Sequence, residues 1–526
     1  MATLRSEIIL CKGIRMDKQY VNVLSYTESD MLTLCRSNAH KVASQDDYSF
    51  IRNTGSIKTS FSYSQALQAN YIAFQNKDYS NKWFFAFIDD VIYKGENNTE
   101  IRYTVDAWST WYDKWTKKNC FINRQHVLSD TIGSNTVEEN LNIGDIVEED
   151  YIEYSGLGSF IYYAIMSTWN PYTQGEYYTV TKHNNNLWGG VIYLFTSDTA
   201  VRLFLNKTNS QGHIGDVQNM FIIPQDITES NNIVTWNDSY NGTNYTFYTM
   251  TQTSESRVIE YDLGVLMNNL YTFSDYTPKN NKCKIYPYNY LFVSNNVGNN
   301  NIYRIEDFSN GVKFNIEMAV SIGGSIRCVP LNYRKKDADY DESLPLAKFP
   351  TCGWSADSFT NWLTQNSVNI ITNVTSGIVS GATQMALGSW GTGIATVAGT
   401  AGNLIGQFHS ASLLPNITGG NNSGDVNFSS KKNTFYFRRM RAKTEYLKII
   451  DDYFTRFGYA IKKLDNPHLT GRRNWNYIEI GSNENIGYGD VPSKYMDEIN
   501  GACRKGVTIW HTHDNIGDYS LNNDII

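Results

Sequence analysis

Charge is absent from one long segment of this 526-residue sequence. No Asp, Glu, Lys or Arg occurs from Ser358 to Gly424, although charged residues make up 18% of the chain. At that average, about 12 charged residues would be expected in the 67 positions of the segment. Charged side chains are rarely buried unpaired and are costly inside a lipid bilayer. The absence therefore indicates a segment that is buried or enters lipid.

Paired cysteines, a leader-like apolar core and catalytic motifs are also missing. The seven cysteines are scattered and form no C-x-x-C pair, which predicts buried thiols rather than a disulfide framework. Arg5 and Glu7 interrupt the position where a signal peptide would be apolar, so synthesis in the cytoplasm is expected. No H-E-x-x-H, G-x-S-x-G or P-loop motif occurs. We therefore expect neither an enzyme nor a cofactor.

Aromatic and β-branched residues are abundant and predict a mainly β protein. Aromatic residues make up 14% of the chain, and Tyr alone contributes 37. Runs with partial alternation, separated by Asn- and Gly-rich turns, predict strands up to about Tyr333. The first runs predict an antiparallel meander, and they are YIAFQN at 71–76, KWFFAFIDDVIYK at 82–94 and IRYTVDAWSTW at 101–111.

Helical signals cluster late in the chain. The clearest helix is predicted within residues 439–464, with Gly458 as its end. Its apolar stripe consists of Tyr446, Ile449, Ile450, Tyr453, Phe454 and Phe457. Further helices are predicted at 355–373 and 493–506, and residues 507–526 predict a strand followed by a loop. The predicted fold class is mainly β with some α (α+β), in two to four domains.

The densest cluster of potential metal ligands is His511-Thr512-His513-Asp514. On a strand, His511 and His513 would share one face and could chelate a metal together with Asp514. A surface loop whose imidazoles bond to the backbone explains the same pattern. Because the cluster has no second ligand set in the sequence, we expect no metal site.

Positive charge is concentrated between Lys431 and Arg473. This stretch has twelve basic and four acidic residues, in a chain with a net charge of −7. Such a strip can follow the phosphates of a nucleic acid, form a solvated helix face, or pair with acidic groups of a neighbouring subunit. Arg438, Arg439 and Arg441 are accordingly predicted to lie at a subunit interface or to face a lumen.

Three interpretations of the uncharged segment remain open on the residues alone. It could be a buried core helix, a transmembrane helix, or a hairpin that is hidden among its own copies and enters a membrane on demand. Ile370–Leu387 and Ile394–Ile405 are each too short or too polar for a confident single span. Glycines give the backbone freedom to refold and form the predicted hinge, which consists of Gly377, Gly381, Gly388 and Gly391.

The large apolar residues of the segment need concealment in a water-soluble state. Burial of each stabilises by about 1.5–3 kcal/mol, so exposing a dozen would forgo roughly 20–30 kcal/mol. An oligomer that gathers the segments around an axis would hide them. The predicted membrane-penetrating residues are Ile370, Ile371, Val374, Ile378, Val379, Met385, Leu387, Trp390, Ile394, Val397, Leu404 and Ile405.

Five stretches at the two ends of the chain carry a family resemblance. They are YIAFQNKDYSNKWFFAFI at 71–88, YTVDAWSTW at 103–111, FINRQHV at 121–127, KTEYLKIIDDYFTRFGYAIKKLDNPHL at 443–469 and GVTIWHTHDNIGDYS at 506–520. These stretches resemble the tail knob proteins, the distal tail-tube proteins of small short-tailed phages of Gram-positive bacteria. The centre of the chain, residues 150–350, shows no such match.

The resemblance implies a homohexameric, mainly β tube at the distal end of the tail of a virion. Genomic DNA would pass through its lumen without sequence specificity. A long hydrophobic loop from each subunit would plug the tube and penetrate the host cytoplasmic membrane, which accounts for the missing charge. The implied partners are other copies of the chain, the collar or stem proteins and a tail-tip peptidoglycan hydrolase. Wall cleavage would belong to that hydrolase, so this chain is expected not to be an enzyme.

The matched stretches also suggest a domain arrangement. Residues 1–149 and 425–526 are predicted to meet in one tube-forming domain, with Trp83 and Trp510 together in it. Residues 150–350 would be a central β-rich insertion or knob, and residues 351–424 the membrane-active loop. The alternative function is a receptor- or polysaccharide-binding tail protein, which suits the many Tyr, Trp and Asn residues but not the missing charge.

Overall fold

The computed structural model describes most of the chain outside the uncharged segment. The described residues are 6–46, 48–51, 55–76, 80–154, 161–169, 181–183, 186–188, 191–224, 233–250, 257–267, 269–295, 299–318, 325–339, 341–348, 351–352 and 434–526. The predicted helix at 355–373 therefore lies outside them. The described chain is mainly β with some α, as predicted.

Thirty-one strands and seven helices make up the described chain. The strands before residue 146 are β1 (Ile8–Cys11), β2 (Asn22–Leu24), β3 (Lys41–Gln45), β4 (Ser49–Ile51), β5 (Ser56–Thr59), β6 (Tyr71–Asn76), β7 (Lys82–Gly95), β8 (Asn98–Val105), β9 (Trp115–Lys117) and β10 (Cys120–Gln125). The central strands are β11 (Ile146–Tyr154), β12 (Ile161–Ser167), β13 (Thr181–His183), β14 (Asn186–Trp188), β15 (Val191–Phe195), β16 (Val217–Pro224), β17 (Ile233–Tyr240), β18 (Thr243–Met250), β19 (Arg257–Asp262), β20 (Asn289–Ser294), β21 (Asn300–Tyr303), β22 (Phe308–Met318), β23 (Ser325–Tyr333), β24 (Lys336–Ala338), β25 (Leu344–Lys348) and β26 (Thr351–Cys352). The last strands are β27 (Phe435–Ala442), β28 (Tyr459–Asp465), β29 (Trp475–Ile480), β30 (Gly487–Gly489) and β31 (Val507–Trp510). The helices are α1 (Glu28–Arg36), α2 (Tyr63–Ala66), α3 (Ala107–Trp111), α4 (Asp198–Ser210), α5 (Leu263–Leu266), α6 (Thr444–Phe457) and α7 (Ser493–Lys505).

The chain divides into two compact units, each built from separated segments. Unit 1 consists of Met1–Asp145, Asp275–Tyr288 and Ala442–Ile526. Unit 2 consists of Ile146–Ser274 and Asn289–Arg441. Both ends of the chain therefore belong to unit 1.

Unit 1 contains a seven-stranded and a five-stranded sheet. The seven-stranded sheet has the order β3-β1-β6-β7-β8-β5-β4, and β6, β7 and β8 form the predicted antiparallel meander. The five-stranded sheet has the order β2-β31-β29-β10-β28, so strands from the two ends of the chain are interleaved. In it, β2 runs parallel to β31, with Val23 opposite Ile509. Neither end of the chain can form this sheet alone.

The core of unit 1 joins residues from both ends of the chain. Trp83 of β7, Trp475 of β29 and Trp510 of β31 belong to one buried hydrophobic cluster. The ring centres of Trp475 and Trp510 are 5.0 Å apart. Trp83 and Trp510 thus share one core, as expected if the chain ends meet. The assignment of this unit to a tube remains a prediction.

Unit 2 is built from the central strands. It has a six-stranded sheet (β17-β18-β15-β12-β16-β26), a five-stranded sheet in which β23 also pairs with β25 (β19-β22-β23-β24), a four-stranded sheet (β11-β27-β20-β21) and the hairpin β13-β14. One buried cluster of this unit includes Leu291 of β20, Phe314 of β22 and Phe437 of β27. A second cluster packs α4 against the six-stranded sheet.

Residues 107–111 differ from the prediction. The run IRYTVDAWSTW was predicted as one strand, but β8 ends at Val105 and α3 begins at Ala107. The Asp106 carboxylate caps this helix, because it accepts a hydrogen bond from the backbone N–H of Ser109 at 3.1 Å. Local capping thus outweighs the strand preference of the Trp and Thr side chains.

Helices α1 and α4 were not predicted, because they lie in the part of the chain that was interpreted as strands. Each of them begins at a capping residue. Thr27 and Asp30 form a capping box at the start of α1. The Ser197 hydroxyl accepts a hydrogen bond from the Ala200 backbone N–H at 3.2 Å at the start of α4. These capping residues were the available signals, and the interpretation of the region as strands overlooked them.

Helix α6 confirms the clearest helical prediction. The two ends of the predicted range 439–464 belong instead to strands β27 and β28. Gly458 ends the helix with a φ of 65°, in the left-handed region that favours glycine. The predicted stripe is wrong at Ile449, which is 68% exposed, while Leu447 is buried in its place. The buried side of the helix consists of Leu447, Ile450, Asp451 and Phe454.

The remaining C-terminal predictions agree with the structure. Helix α7 occupies the predicted range and ends at Gly506, and β31 is followed by a loop that contains a short 3-10 helix, His513–Asn515. Six cysteines are buried thiols, as expected, and they are Cys11, Cys35, Cys120, Cys283, Cys328 and Cys503.

Candidate functional site

The predicted membrane-penetrating loop lies outside the described residues. This applies to all of its named apolar residues within Ile370–Ile405 and to the hinge glycines Gly377, Gly381, Gly388 and Gly391. In the chain the loop follows β26 and precedes β27, both strands of unit 2. Among the described residues, no helix combines the length and the hydrophobicity that crossing a membrane requires.

Strand β27 carries the three arginines predicted for a subunit interface or lumen. Its side chains alternate between the two faces of the sheet, as the geometry of a strand requires. Arg439 and Arg441 share the buried face with Phe435 and Phe437, whereas Arg438 lies on the opposite, half-buried face. The three arginines therefore do not form one strip on the surface. The prediction that all three lie at a subunit interface or face a lumen is wrong for Arg439 and Arg441, because they are buried.

Arg439 and Arg441 are paired with Glu149 of β11 inside unit 2. Nε of Arg441 lies 2.5 Å from the Glu149 carboxylate, and Nη2 of Arg439 lies 3.8 Å from it. Arg439 also donates hydrogen bonds to the carbonyl oxygens of Leu270 (3.2 Å) and Thr272 (2.7 Å). The two arginine side chains are only 6% and 5% exposed, so they act within their own subunit.

Two opposing effects, burial and hydrogen bonding, determine the pKa of Glu149. Burial of the carboxylate opposes ionisation, but the hydrogen bond from Arg441 and those from Ser274 outweigh it and lower the pKa. Burial also lowers the pKa of Arg439, against the attraction of Glu149. The cluster is therefore an internal ion pair whose members depend on one another.

Arg438 is the one of the three that remains available at the surface. Its Nε lies 3.2 Å from the carboxylate of Glu148, which is 46% exposed. The guanidinium group also lies over the rings of Tyr151 and Tyr436, at 5.7 and 5.6 Å from their centres. Arg438 thus stays a candidate for contact with another subunit or with the lumen.

Among the other described basic residues of this stretch, Arg472 and Lys463 have two different environments. Arg472 is buried in unit 1, where it donates to the carbonyl oxygen of Val127 at 3.0 Å. Lys463 is exposed and lies 3.4 Å from Asp465. Lys463 lies on β28, whereas Arg472 lies between β28 and β29, so the two do not share one strand face.

The two histidines of the WHTHDN stretch have different environments. Strand β31 ends before them, so they do not share a strand face. His511 has Nδ1 2.8 Å from the Ser25 hydroxyl and Nε2 3.0 Å from the Asn476 side-chain oxygen, which is a structural role. His513 is buried, and its ring centre lies 4.6 Å from that of His40. No sequence pattern links His40 to this cluster, because His40 lies in the distant N-terminal part of the chain.

A buried carboxylate ties the segment Asp275–Tyr288 to α6 within unit 1. Asp451 accepts hydrogen bonds from the Tyr276 hydroxyl at 2.7 Å and from the Lys279 backbone N–H at 2.8 Å. Asn280 donates to it from both its backbone N–H and its side-chain amide. Burial and the neighbouring Asp451 raise the pKa of the Cys283 thiol well above its usual value. This network is structural, and sequence reasoning did not find it.

Comparison with known proteins identifies the relatives of this chain. Residues 264–524 match the family described as the C-terminal domain of tail knob protein gp9 of Bacillus phage phi29. Residues 4–117 match the family described as the N-terminus of the caudoviral major tail protein. The two matches together cover residues 4–117 and 264–524, which include residues 264–350 of the centre for which sequence reasoning found no resemblance.

Individual tail knob proteins are similar to this chain over nearly its whole length. The chain is 23% identical to tail knob protein gp9 of Bacillus phage phi29, covering 93% of both proteins, and 23% identical to that of Bacillus phage B103, covering 87% of this chain and 88% of the relative. The solved structure of the bacteriophage C1 tail knob protein gp12 has the same fold, with a TM-score of 0.57 and 15% identity, over 99% of this chain and all of that one. The chain therefore belongs to the tail knob protein family, as a structural component of the virion at the distal end of a phage tail.

Proposed function

We propose that this tail protein forms the distal tail tube, a conduit for genome ejection whose uncharged loops plug the lumen and penetrate the host cytoplasmic membrane. One observation carries the proposal: 67 consecutive residues of a protein at the tail tip lack any Asp, Glu, Lys or Arg. A soluble surface has no need of such a segment, whereas a bilayer excludes charge. In the chain, the loop lies between β26 and β27, both strands of unit 2.

A closed ring of copies is part of this proposal. Heterologous head-to-tail contacts between copies would close into a ring. Such a ring would gather the loops around one axis and hide their apolar residues. Six copies are proposed, with Arg438 at a subunit contact or in the lumen. The net charge of −7 suits a conduit, because an acidic wall does not retain DNA. Further partners are the collar or stem proteins and a tail-tip peptidoglycan hydrolase.

Charge introduced into the loop tests the proposal. One Asp or Lys at the centre of a bilayer costs about 2.5–3.5 kcal/mol, and six copies that insert together would lose roughly 15–20 kcal/mol. We therefore expect Val379→Asp and Val397→Asp to leave tail assembly and adsorption intact but to abolish leakage of dye from vesicles of phosphatidylglycerol and phosphatidylethanolamine. DNA delivery should be lost as well. Val379→Ala, which adds no charge, is the matched control and should leak like the wild type.

Leakage at the wild-type level from the Asp variants, or after deletion of Ile370–Gly406, would show that the segment only packs the protein. Binding of purified wall polysaccharide without any leakage would favour the alternative, a receptor- or polysaccharide-binding tail protein. End-on electron microscopy of the purified assembly measures the number of copies. That the chain is not an enzyme stays a prediction, supported by relatives named for a structural part of the tail, and release of reducing sugar from cell walls would contradict it.

A further inference from the structure

Three potential metal ligands from the two ends of the chain meet in unit 1. His40, His513 and Asp514 each offer one ligand atom, and these atoms all lie within 4.8 Å of one another. His40 immediately precedes β3, whereas the other two open the short 3-10 helix after β31. The proposed conduit makes no use of this cluster. The sequence-based expectation of no metal rested on the lack of a second ligand set, and His40 supplies one.

The hydrogen bond of His40 fixes which ring nitrogen is free. Its Nδ1 lies 3.0 Å from the carbonyl oxygen of Lys12, which can only accept, so Nδ1 carries the proton. The lone pair of Nε2 then faces the Asp514 carboxylate at 4.0 Å. Two acceptors that face each other without a proton between them favour a cation in the gap. Histidines that bind metals characteristically donate their other N–H to a carbonyl or carboxylate in this way.

The ring of His513 contacts both Asp514 and Arg15. Its Nδ1 lies 3.0 Å from the Asp514 carboxylate, and its Nε2 accepts a hydrogen bond from the Arg15 backbone N–H at 3.2 Å. Ligation through Nδ1 moves the imidazole proton to Nε2 and gives up the bond from Arg15.

The third ligand can move to complete the site. The side chain of Asp514 is 80% exposed, so a small rotation can bring its carboxylate toward both imidazoles. The guanidinium group of Arg15 lies nearby, but it donates to the backbone carbonyl of Asp514 at 2.8 Å rather than to the carboxylate. Its positive charge lowers the affinity for a cation without occupying a ligand position.

We propose that His40, His513 and Asp514 bind one divalent transition-metal ion that joins the N-terminal and C-terminal parts of unit 1. Two imidazoles and one carboxylate are a ligand set suited to zinc, nickel or copper rather than to calcium or magnesium. Water completes the coordination. Because the ion binds only the folded arrangement of the three ligands, it stabilises unit 1 by mass action.

Zinc titration of the full chain, after removal of metals with EDTA, tests this site. We expect one Zn²⁺ per chain by calorimetry and a rise in the unfolding temperature on adding zinc. Asp514→Asn and His40→Gln should each weaken zinc binding roughly tenfold or more and remove the rise in temperature. The matched control is His213→Gln in unit 2, where His213 Nδ1 lies 2.8 Å from Asp216, outside the described three-ligand cluster. This control should bind zinc like the wild type.

Equal zinc affinity of the wild type and Asp514→Asn would overturn the proposal. Asp514 is exposed, so this variant remains informative even if His40→Gln does not fold. Stabilisation by mild acid in the absence of metal, lost in Asp514→Asn, would show that a proton occupies the gap and would also overturn it. Dye leakage from vesicles does not enter this experiment, so its outcome is independent of the conduit proposal.

Discussion

Arg439 and Arg441 place two positive charges inside unit 2, and Glu149 is the acid that both contact. The carbonyl oxygens of Leu270 and Thr272 satisfy further guanidinium N–H groups. A buried charge without its partner is far costlier than a surface charge without its partner. The adjacent residues Glu148 and Glu149 therefore carry the same chemical group with different consequences.

Replacing each of these two glutamates separately should reveal the difference. Glu149→Gln leaves two buried guanidinium groups without their counter-ion and should lower the free energy of unfolding by about 3–5 kcal/mol. Glu148→Gln, which removes the half-exposed partner of Arg438, should lower it by less than about 1 kcal/mol. Urea denaturation followed by circular dichroism measures both. Similar losses for the two variants would mean that the Glu149 cluster is not the internal tie described here.

Two glycines at helix positions predict substitutions of opposite sign at the scale of elements. Gly458 ends α6 at a φ of 65°, and an added Cβ would collide with the backbone of Gln125 and His126. Gly501 lies inside α7, where an added Cβ meets nothing within 4 Å. Gly458→Ala should destabilise by more than about 1 kcal/mol, and Gly501→Ala should stabilise by about 0.5–1 kcal/mol. Thermal unfolding of the pair checks this, and the same sign for both would contradict it.

Elements with strong local signals could be predicted, and those decided by distant contacts could not. The meander β6–β8, the helices α6 and α7 and the stop at Gly458 follow from periodicity and glycine. Helix α3 was misread because one capping Asp106 overrode a run of strand-forming residues. Ile449 was wrongly predicted to be buried. An apolar stripe predicts which side of a helix is buried, but the edges of that side depend on the elements that pack against it.

In the candidate sites too, features set by local sequence could be predicted, whereas features set by distant contacts could not. Alternation along β27 would have placed Arg438 on the face opposite Arg439 and Arg441. Their pairing with Glu149 could not be found, because it requires knowing that β11 lies beside β27. His40 was missed for the same physical reason, since chain topology alone brings it to His513. The uncharged segment was found because composition needs no knowledge of contacts.

At the scale of the whole molecule, unit 1 should lose stability in acid. His126 is buried, with Nδ1 accepting from the Tyr477 backbone N–H at 2.8 Å and Nε2 donating to the Thr455 carbonyl at 3.1 Å. Burial, reinforced by Arg472, lowers its pKa from 6.5 to about 3. The unfolded chain therefore takes up a proton first as the pH falls. The stabilisation is complete above pH 6.5 and is lost progressively toward pH 3.

Denaturation at several pH values measures this effect. His126 alone should lower the free energy of unfolding by about 1.4 kcal/mol per pH unit well below its unfolded pKa. His126→Asn, which retains a hydrogen-bond acceptor for Tyr477 but does not titrate, should flatten the dependence by that amount. His213→Asn, at a half-exposed site in unit 2, is the control. An unchanged slope in His126→Asn would contradict the assignment.

The interleaved five-stranded sheet also sets an order of events during synthesis. A ribosome completes residues 146–441, which contain all of unit 2, before it makes β28, β29 and β31. Until then β2 and β10 have no neighbours, because the strands that flank them in the sheet do not yet exist. A chain interrupted before β28 therefore leaves the edges of β2 and β10 in this sheet unpaired. The earliest strands of this sheet thus depend for their pairing on the last strands of the chain to be made.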